Sequence, residues 1–133
     1  MSDESAFNDL IGVRWVSWTA GEASAEIELR PIHLNRSEWL HGGVLCTLLD
    51  TVCSRAGCWS PPGEPLLRSS TVSLTTNFLR AAKNGLIRAT GRLRLGAGRQ
   101  IFSSIGEVVD EEGRLLAIAQ GTFKYRTRSA PGV

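Results

Sequence analysis

The stretch with the most chemistry in it is Asn35-Arg36-Ser37-Glu38-Trp39-Leu40-His41-Gly42-Gly43-Val44-Leu45-Cys46-Thr47-Leu48-Leu49-Asp50. Val44, Leu45, Leu48, Leu49 and Val52 recur at helical spacing, so a helix is read from Gly42-Gly43 to about Cys58. It is apolar on most sides and belongs inside the molecule. Two glycines at its start let a ligand or another chain approach the backbone closely. First-turn N–H groups lack internal partners. With the helix dipole they form an acceptor site for a carbonyl oxygen that gains negative charge. A helix start that must pack tightly would use the same glycines, and spacing does not choose between the two.

Asp50 is the stronger anomaly. It lies about two turns into the helix, directly after Leu48-Leu49. An ionised carboxylate buried without partners costs several kcal/mol, so the sequence either pairs it or uses it. Thr47, Thr51 and Ser54 stand near it on the helix surface and give its side a polar strip. Arg55, backbone donors or a partly exposed helix face would satisfy it without any function. His41 precedes the glycines, and a lone histidine is more often structural than catalytic. His33 has no partner motif and is assigned no role. Cys46, Cys53 and Cys58 have neither metal-ligand spacing nor a CxxC pair, and the first two read as small buried residues. No nucleophile elbow, Walker loop or dinucleotide fingerprint is present.

A second group is cationic. Arg88, Arg92 and Arg94 share one face of a strand, and Arg99 follows the next turn. They read either as a solvated sheet face or as an anion or phosphate patch at a ligand entrance. Only two of the fifteen basic residues are lysines, Lys83 and Lys124. Arginine suits bidentate recognition of phosphate or carboxylate.

The elements that must position these residues follow from periodicity. Residues 4–11 read as a short amphipathic helix with Phe7, Leu10 and Ile11 inward and Gly12 at its end. A strand over 13–19 comes next. Ala23, Ala25, Ile27 and Leu29 then alternate with Glu22, Ser24, Glu26, Glu28 and Arg30, a half-buried antiparallel strand broken by Pro31. Residues 31–41 read as a loop. After the helix come four strands, at 70–79, 86–95, 101–109 and 115–125, with turns at Gly96-Ala97-Gly98 and Asp110–Gly113. The polar tail 126–133 reads as frayed. The order predicts an α+β fold, an antiparallel sheet curled around one long helix.

Composition bounds the rest. The chain has 133 residues, 42% hydrophobic and 21% charged, which fits one globular domain. A net charge of +2 does not predict nucleic-acid binding. No apolar run approaches the ~20 residues needed to cross a bilayer. The acidic start Met1-Ser2-Asp3-Glu4-Ser5 is unlike a signal peptide, and the cysteines fit a reducing compartment. A soluble cytoplasmic protein is the expectation.

Asn35, five residues, His41-Gly42-Gly43, six residues and Asp50 together resemble the hotdog-fold acyl-CoA thioesterases, in particular the PaaI-type branch of the 4-hydroxybenzoyl-CoA thioesterase superfamily. Thr71 to Arg80 resembles that family's third strand, and Asp110–Phe123 its final hairpin. Ala81 stands where many relatives have proline. The resemblance spans roughly residues 5–125. It implies a single hotdog domain, a curved antiparallel sheet wrapped around a central helix. It also implies a dimer or a tetramer made of two dimers. Asp50 would be general base or nucleophile, and Gly42 or Gly43 would polarise the thioester carbonyl. Asn35 would hold water or the acyl group, His41 would shape the pocket, and Thr71 would be the helper hydroxyl. Asp50 of one subunit would face Asn35 and the glycines of another. Donors at a helix N-terminus serve the oxyanion without a metal, so no cofactor is required. The substrate would be an acyl-CoA of small or medium, aromatic included, acyl group, with Arg88, Arg92, Arg94 and Arg99 as candidates for its phosphates. A non-catalytic acyl-CoA or lipid-binding hotdog is the alternative. A hydratase is a third reading, but its differently spaced histidine and acid are not seen. The four tryptophans, Trp15, Trp18, Trp39 and Trp59, read as core or interface aromatics or as walls of an acyl pocket. A chain this short has little room for a private active site, and shortness therefore predicts obligate dimerisation.

Overall fold

The structure, a computed structural model, describes residues 5–96 and 100–126. Residues 1–4, with most of the acidic start, Ala97 and Gly98 of the turn, Arg99 and the tail from 127 lie outside the described residues. The elements are α1 (Ala6–Ile11), β1 (Arg14–Thr19), β2 (Glu22–Glu28), α2 (Gly42–Ala56), β3 (Ser69–Phe78), β4 (Leu86–Leu95), β5 (Ile101–Val109) and β6 (Leu115–Tyr125). A single 3-10 turn at Pro31–His33 interrupts the segment read as loop. The fold is α+β, with the six strands in one antiparallel sheet ordered β1-β2-β4-β5-β6-β3. No helix among the described residues is long and apolar enough to cross a membrane.

The sheet holds α2 against one face. Leu45, Leu48, Leu49, Val52, Cys53 and Ala56 of α2 are buried against Ala25, Ile27, Ile87, Ala89, Phe102, Val108, Leu116 and Phe123 of the strands. Each large aliphatic side chain removed from water in this way contributes roughly 1.5–3 kcal/mol. The helix sits close because two strand positions lack side chains. A Cβ on Gly91 would lie 2.5 Å from the Val52 backbone, and one on Gly106 would lie 2.7 Å from Cys53 Sγ. Gly57 caps the helix, its N–H reaching the Ser54 carbonyl.

Two sequence expectations are corrected. Helix α1 buries Asn8 and exposes Phe7 and Leu10, and of the three residues expected inward only Ile11 packs against the core. The helix is only six residues long, and its orientation is set by its ends. Ser5 caps Asn8 N–H, and the Asn8 carbonyl accepts from Val13 N–H at 3.0 Å. Alternation along the strand read at 86–95 puts Leu95 on the face of Leu93, but Leu95 is exposed because the pairing with β5 shifts register between these two residues.

Strand β3 follows the helix in sequence but docks beside β6, from Ser69 opposite Tyr125 to Phe78 opposite Ala117. It is therefore an edge, ten residues long, and its Val72 and Phe78 are exposed. An apolar edge strand of this length invites pairing with another chain.

Candidate active site

The start of α2 is built by His41. Its backbone is extended (φ −68°, ψ 132°), and its Nδ1 accepts the Gly43 N–H at 2.7 Å. The His41 carbonyl accepts from Val44 N–H at 3.0 Å and Leu45 N–H at 3.4 Å. Gly42 is left as the first-turn donor with no acceptor among the described residues. The two glycines thus differ: one N–H is used by the cap, and the other points outward with the dipole behind it. A Cβ on Gly43 would lie 2.9 Å from the capping Nδ1, and one on Gly42 would lie 3.3 Å from the Phe78 ring.

His41 is itself held by a residue that sequence reading left without a role. Its N–H donates to the His33 carbonyl at 2.8 Å. His33 is fully buried; Nδ1 accepts from Arg30 N–H at 2.9 Å, and Nε2 donates to the Ile11 carbonyl at 2.6 Å. One imidazole thus ties the end of α1 to the segment that leads into α2. No periodicity or local motif marks it.

Asn35 stands in the same connection. Its Oδ1 accepts from Ser37 N–H at 2.9 Å and from Trp39 N–H at 3.1 Å. Its backbone N–H reaches the Trp39 carbonyl at 2.7 Å, closing a turn in which Glu38 takes a left-handed φ of 63°. The side-chain oxygen is committed to the loop, which leaves the amide NH2 as the group able to meet a ligand.

Asp50 lies half-buried on α2 and accepts a hydrogen bond from Thr71 Oγ1 at 2.6 Å. Arg55 is drawn elsewhere, its guanidinium 4.1 Å from the Trp15 ring centroid and 4.7 Å from that of Trp18. Burial pushes the Cys53 thiol up to about 12, and the neighbouring Asp50 charge adds in the same direction. Strand β3 runs along α2 in the opposite sense. Thr71 meets Asp50, Thr76 lies 3.7 Å from Cys46 Sγ, and Phe78 meets Gly42.

Within one chain, Gly42 and Asp50 are eight residues apart on one straight helix, about 12 Å along its axis. A reacting carbonyl needs a donor at ~2.9 Å and its attacking atom at ~3–3.5 Å. That backbone separation is too long for Asp50 to attack directly a carbonyl held by Gly42 of the same chain.

The arginines divide. Arg88 pairs with Glu26 at 3.1 Å and Arg92 with Glu22 at 2.9 Å, across the β2–β4 register. Arg92 also lies 3.8 Å from Glu107. Arg94 is exposed and has no ion pair among the described residues. Trp15 and Trp18 pack around Arg55, and Trp39 lies under Lys83 Nζ at 4.4 Å, so these three indoles already have cationic partners.

Residues 38–117 match the family model described as the thioesterase superfamily. That span includes His41, both glycines, Asp50, Thr71 and the arginines of β4, but not Asn35. The conserved protein PA5202 of Pseudomonas aeruginosa is 31% identical in sequence, with a TM-score of 0.83 over 92% of this chain and 94% of that one. A Ralstonia eutropha protein, provisionally named a thioesterase and related to phenylacetic acid degradation, is 27% identical, with a TM-score of 0.78 over 92% of each chain. A protein of Archaeoglobus fulgidus provisionally named an esterase is 27% identical over 118 residues, covering 89% of this chain and 73% of its own length.

Proposed function

This chain belongs to the thioesterase superfamily as a hotdog-fold thioester hydrolase of the PaaI type, and from that premise we propose that it hydrolyses acyl-CoA esters at a site shared between two copies. The acyl group is small or medium in size, aromatic acids included. Asp50 supplies the carboxylate, either attacking the carbonyl carbon or taking a proton from the water that does. The carbonyl oxygen, negative in the tetrahedral intermediate, is held by the Gly42 N–H. The C–S bond then breaks and the CoA sulfur leaves with a proton; on the water route the free acid remains, and on the nucleophilic route water then cleaves the acyl-aspartyl anhydride to release the acid and restore Asp50. Thr71 fixes one oxygen of Asp50 so that the other faces the reaction. Asn35 offers its amide NH2 to the water or the acyl group, and His41 holds the helix turn that presents Gly42. Arg94 is the strand arginine best placed to meet a CoA phosphate, since Arg88 and Arg92 are engaged by glutamates.

The observation that carries this reading is the half-buried Asp50, hydrogen-bonded by Thr71, on the same helix as an unpartnered first-turn N–H. In one chain the backbone separation of the two groups leaves no room for direct attack by Asp50 on a carbonyl held by Gly42. A second copy laid against the β3 edge would bring its Asp50 to the first copy's Gly42. Hydrolysis of an acyl-CoA panel, followed by thiol release, tests the reading. Asp50→Asn is expected to lower kcat by a factor on the order of 100 or more with folding retained. Near-wild-type turnover by that variant would refute it.

A further inference from the structure

The geometry points to Phe78 as the residue that selects the acyl group, an assignment that rests on the reaction proposed above. Strand β3 delivers its side chains to α2 in order, and the last of them, Phe78, lies beside Gly42. A Cβ on that glycine would stand 3.3 Å from both Cε1 and Cζ of the ring. A side chain at Gly42 would press on the ring, which thus borders the peptide whose N–H has no acceptor among the described residues. Within one chain Phe78 is 55% exposed, so its apolar surface is open to whatever occupies the shared site beside that donor.

A thioester carbonyl accepting from Gly42 N–H at about 2.9 Å brings the groups on its carbon to the ring. Two groups leave that carbon, an acyl chain and a sulfur followed by an amide-rich arm. An aromatic surface without hydrogen-bonding groups matches the apolar acyl chain and would leave the amides of the arm unpaired. Phe78 is thus a contact surface for the acyl group, and its removal lowers selectivity for acyl groups long or wide enough to reach it.

The test is kcat/KM for acetyl-, butyryl-, hexanoyl- and benzoyl-CoA with the wild type, Phe78→Ala and Phe78→Leu, all verified as folded by circular dichroism. In Phe78→Ala the hexanoyl-to-acetyl ratio is expected to fall about tenfold, the range that a few buried methylene contacts command. Phe78→Leu should recover part of that ratio. A ratio unchanged or raised in Phe78→Ala, whatever the absolute rates, would overturn the assignment and leave the proposed reaction standing. Wild-type inactivity toward all four esters would overturn the reaction and this assignment together.

Discussion

Thr71 donates its hydroxyl hydrogen to Asp50 Oδ1 at 2.6 Å, joining the edge strand to the one carboxylate on the central helix. The bond is short, as expected when a hydroxyl meets a carboxylate. It ties down Oδ1 of Asp50, and Oδ2 is the oxygen that the proposed reaction would use. Thr71→Val keeps the shape and removes the donor. It should lower kcat for a good acyl-CoA about tenfold or more with a smaller change in KM. Thr71→Ser should restore most of kcat. Steady-state kinetics of the pair check this, and a change confined to KM would speak against it.

The cap at the start of α2 has a stability consequence. His41→Ala removes the acceptor for Gly43 N–H and should cost about 1 kcal/mol in urea unfolding. Gly43→Ala would ordinarily stabilise a helix by ~1 kcal/mol. Here the new methyl meets the capping Nδ1 at 2.9 Å, so the gain should vanish or reverse. A clear stabilisation by Gly43→Ala would mean that the imidazole is not held there.

Arg94 and its neighbours give a binding test. Arg94→Ala should raise KM for an acyl-CoA several-fold, as expected for a lost charge-assisted phosphate contact. It should raise KM much less for the same acyl group on N-acetylcysteamine, which lacks the nucleotide. Arg88→Ala should have a smaller effect on this comparison, since its guanidinium is already paired with Glu26. Equal shifts for both esters would remove Arg94 from the CoA site.

Alkaline pH should weaken the fold through the buried thiol. The folded Cys53 pKa is raised from 9.0 to about 12. Above about pH 9 the unfolded chain loses this proton while the folded chain keeps it. Stability is therefore full below pH 9 and declines as pH rises toward 12. Cys58 is shifted in the same direction, mainly by burial. Melting temperatures between pH 8 and 10.5 should fall, with a shallower slope in Cys53→Ala than in the wild type. Equal slopes would contradict the burial of a neutral thiol.

Much of this arrangement was legible in the sequence because it is written in local periodicity. Alternation placed Ala23, Ala25 and Ile27 on the inner face, and helical spacing placed Leu45, Leu48, Leu49 and Val52 in the core. The fold class follows from that order. What could not be read depends on contacts between distant segments. Nothing local says that β3 docks beside β6, and that docking alone brings Thr71 to Asp50 and Phe78 to Gly42. His33 is invisible for the same reason, since its partners Ile11 and His41 lie in other segments. Arg88 and Arg92 pair with glutamates that come from β2 and β5, partners that the spacing of the arginines did not reveal. Helix α1 misled because six residues are too few for periodicity to outweigh the hydrogen bonds at its ends.

The central claim, a site that takes Asp50 from one copy and Gly42 from another, is tested most directly by mixing two inactive variants. Asp50→Asn removes the carboxylate. Gly42→Pro removes the N–H and adds a ring, at a first helical position where proline is favoured and after a His41 whose φ of −68° and ψ of 132° already suit it. The Phe78 ring must give by a few tenths of an ångström. Each variant alone should be nearly inactive. After joint unfolding and refolding at equal amounts, half the dimers are mixed and each contains one intact site, so about a quarter of wild-type activity should return. No recovery, with mixed dimers shown to be present, would place both groups of each site in a single chain and contradict the account.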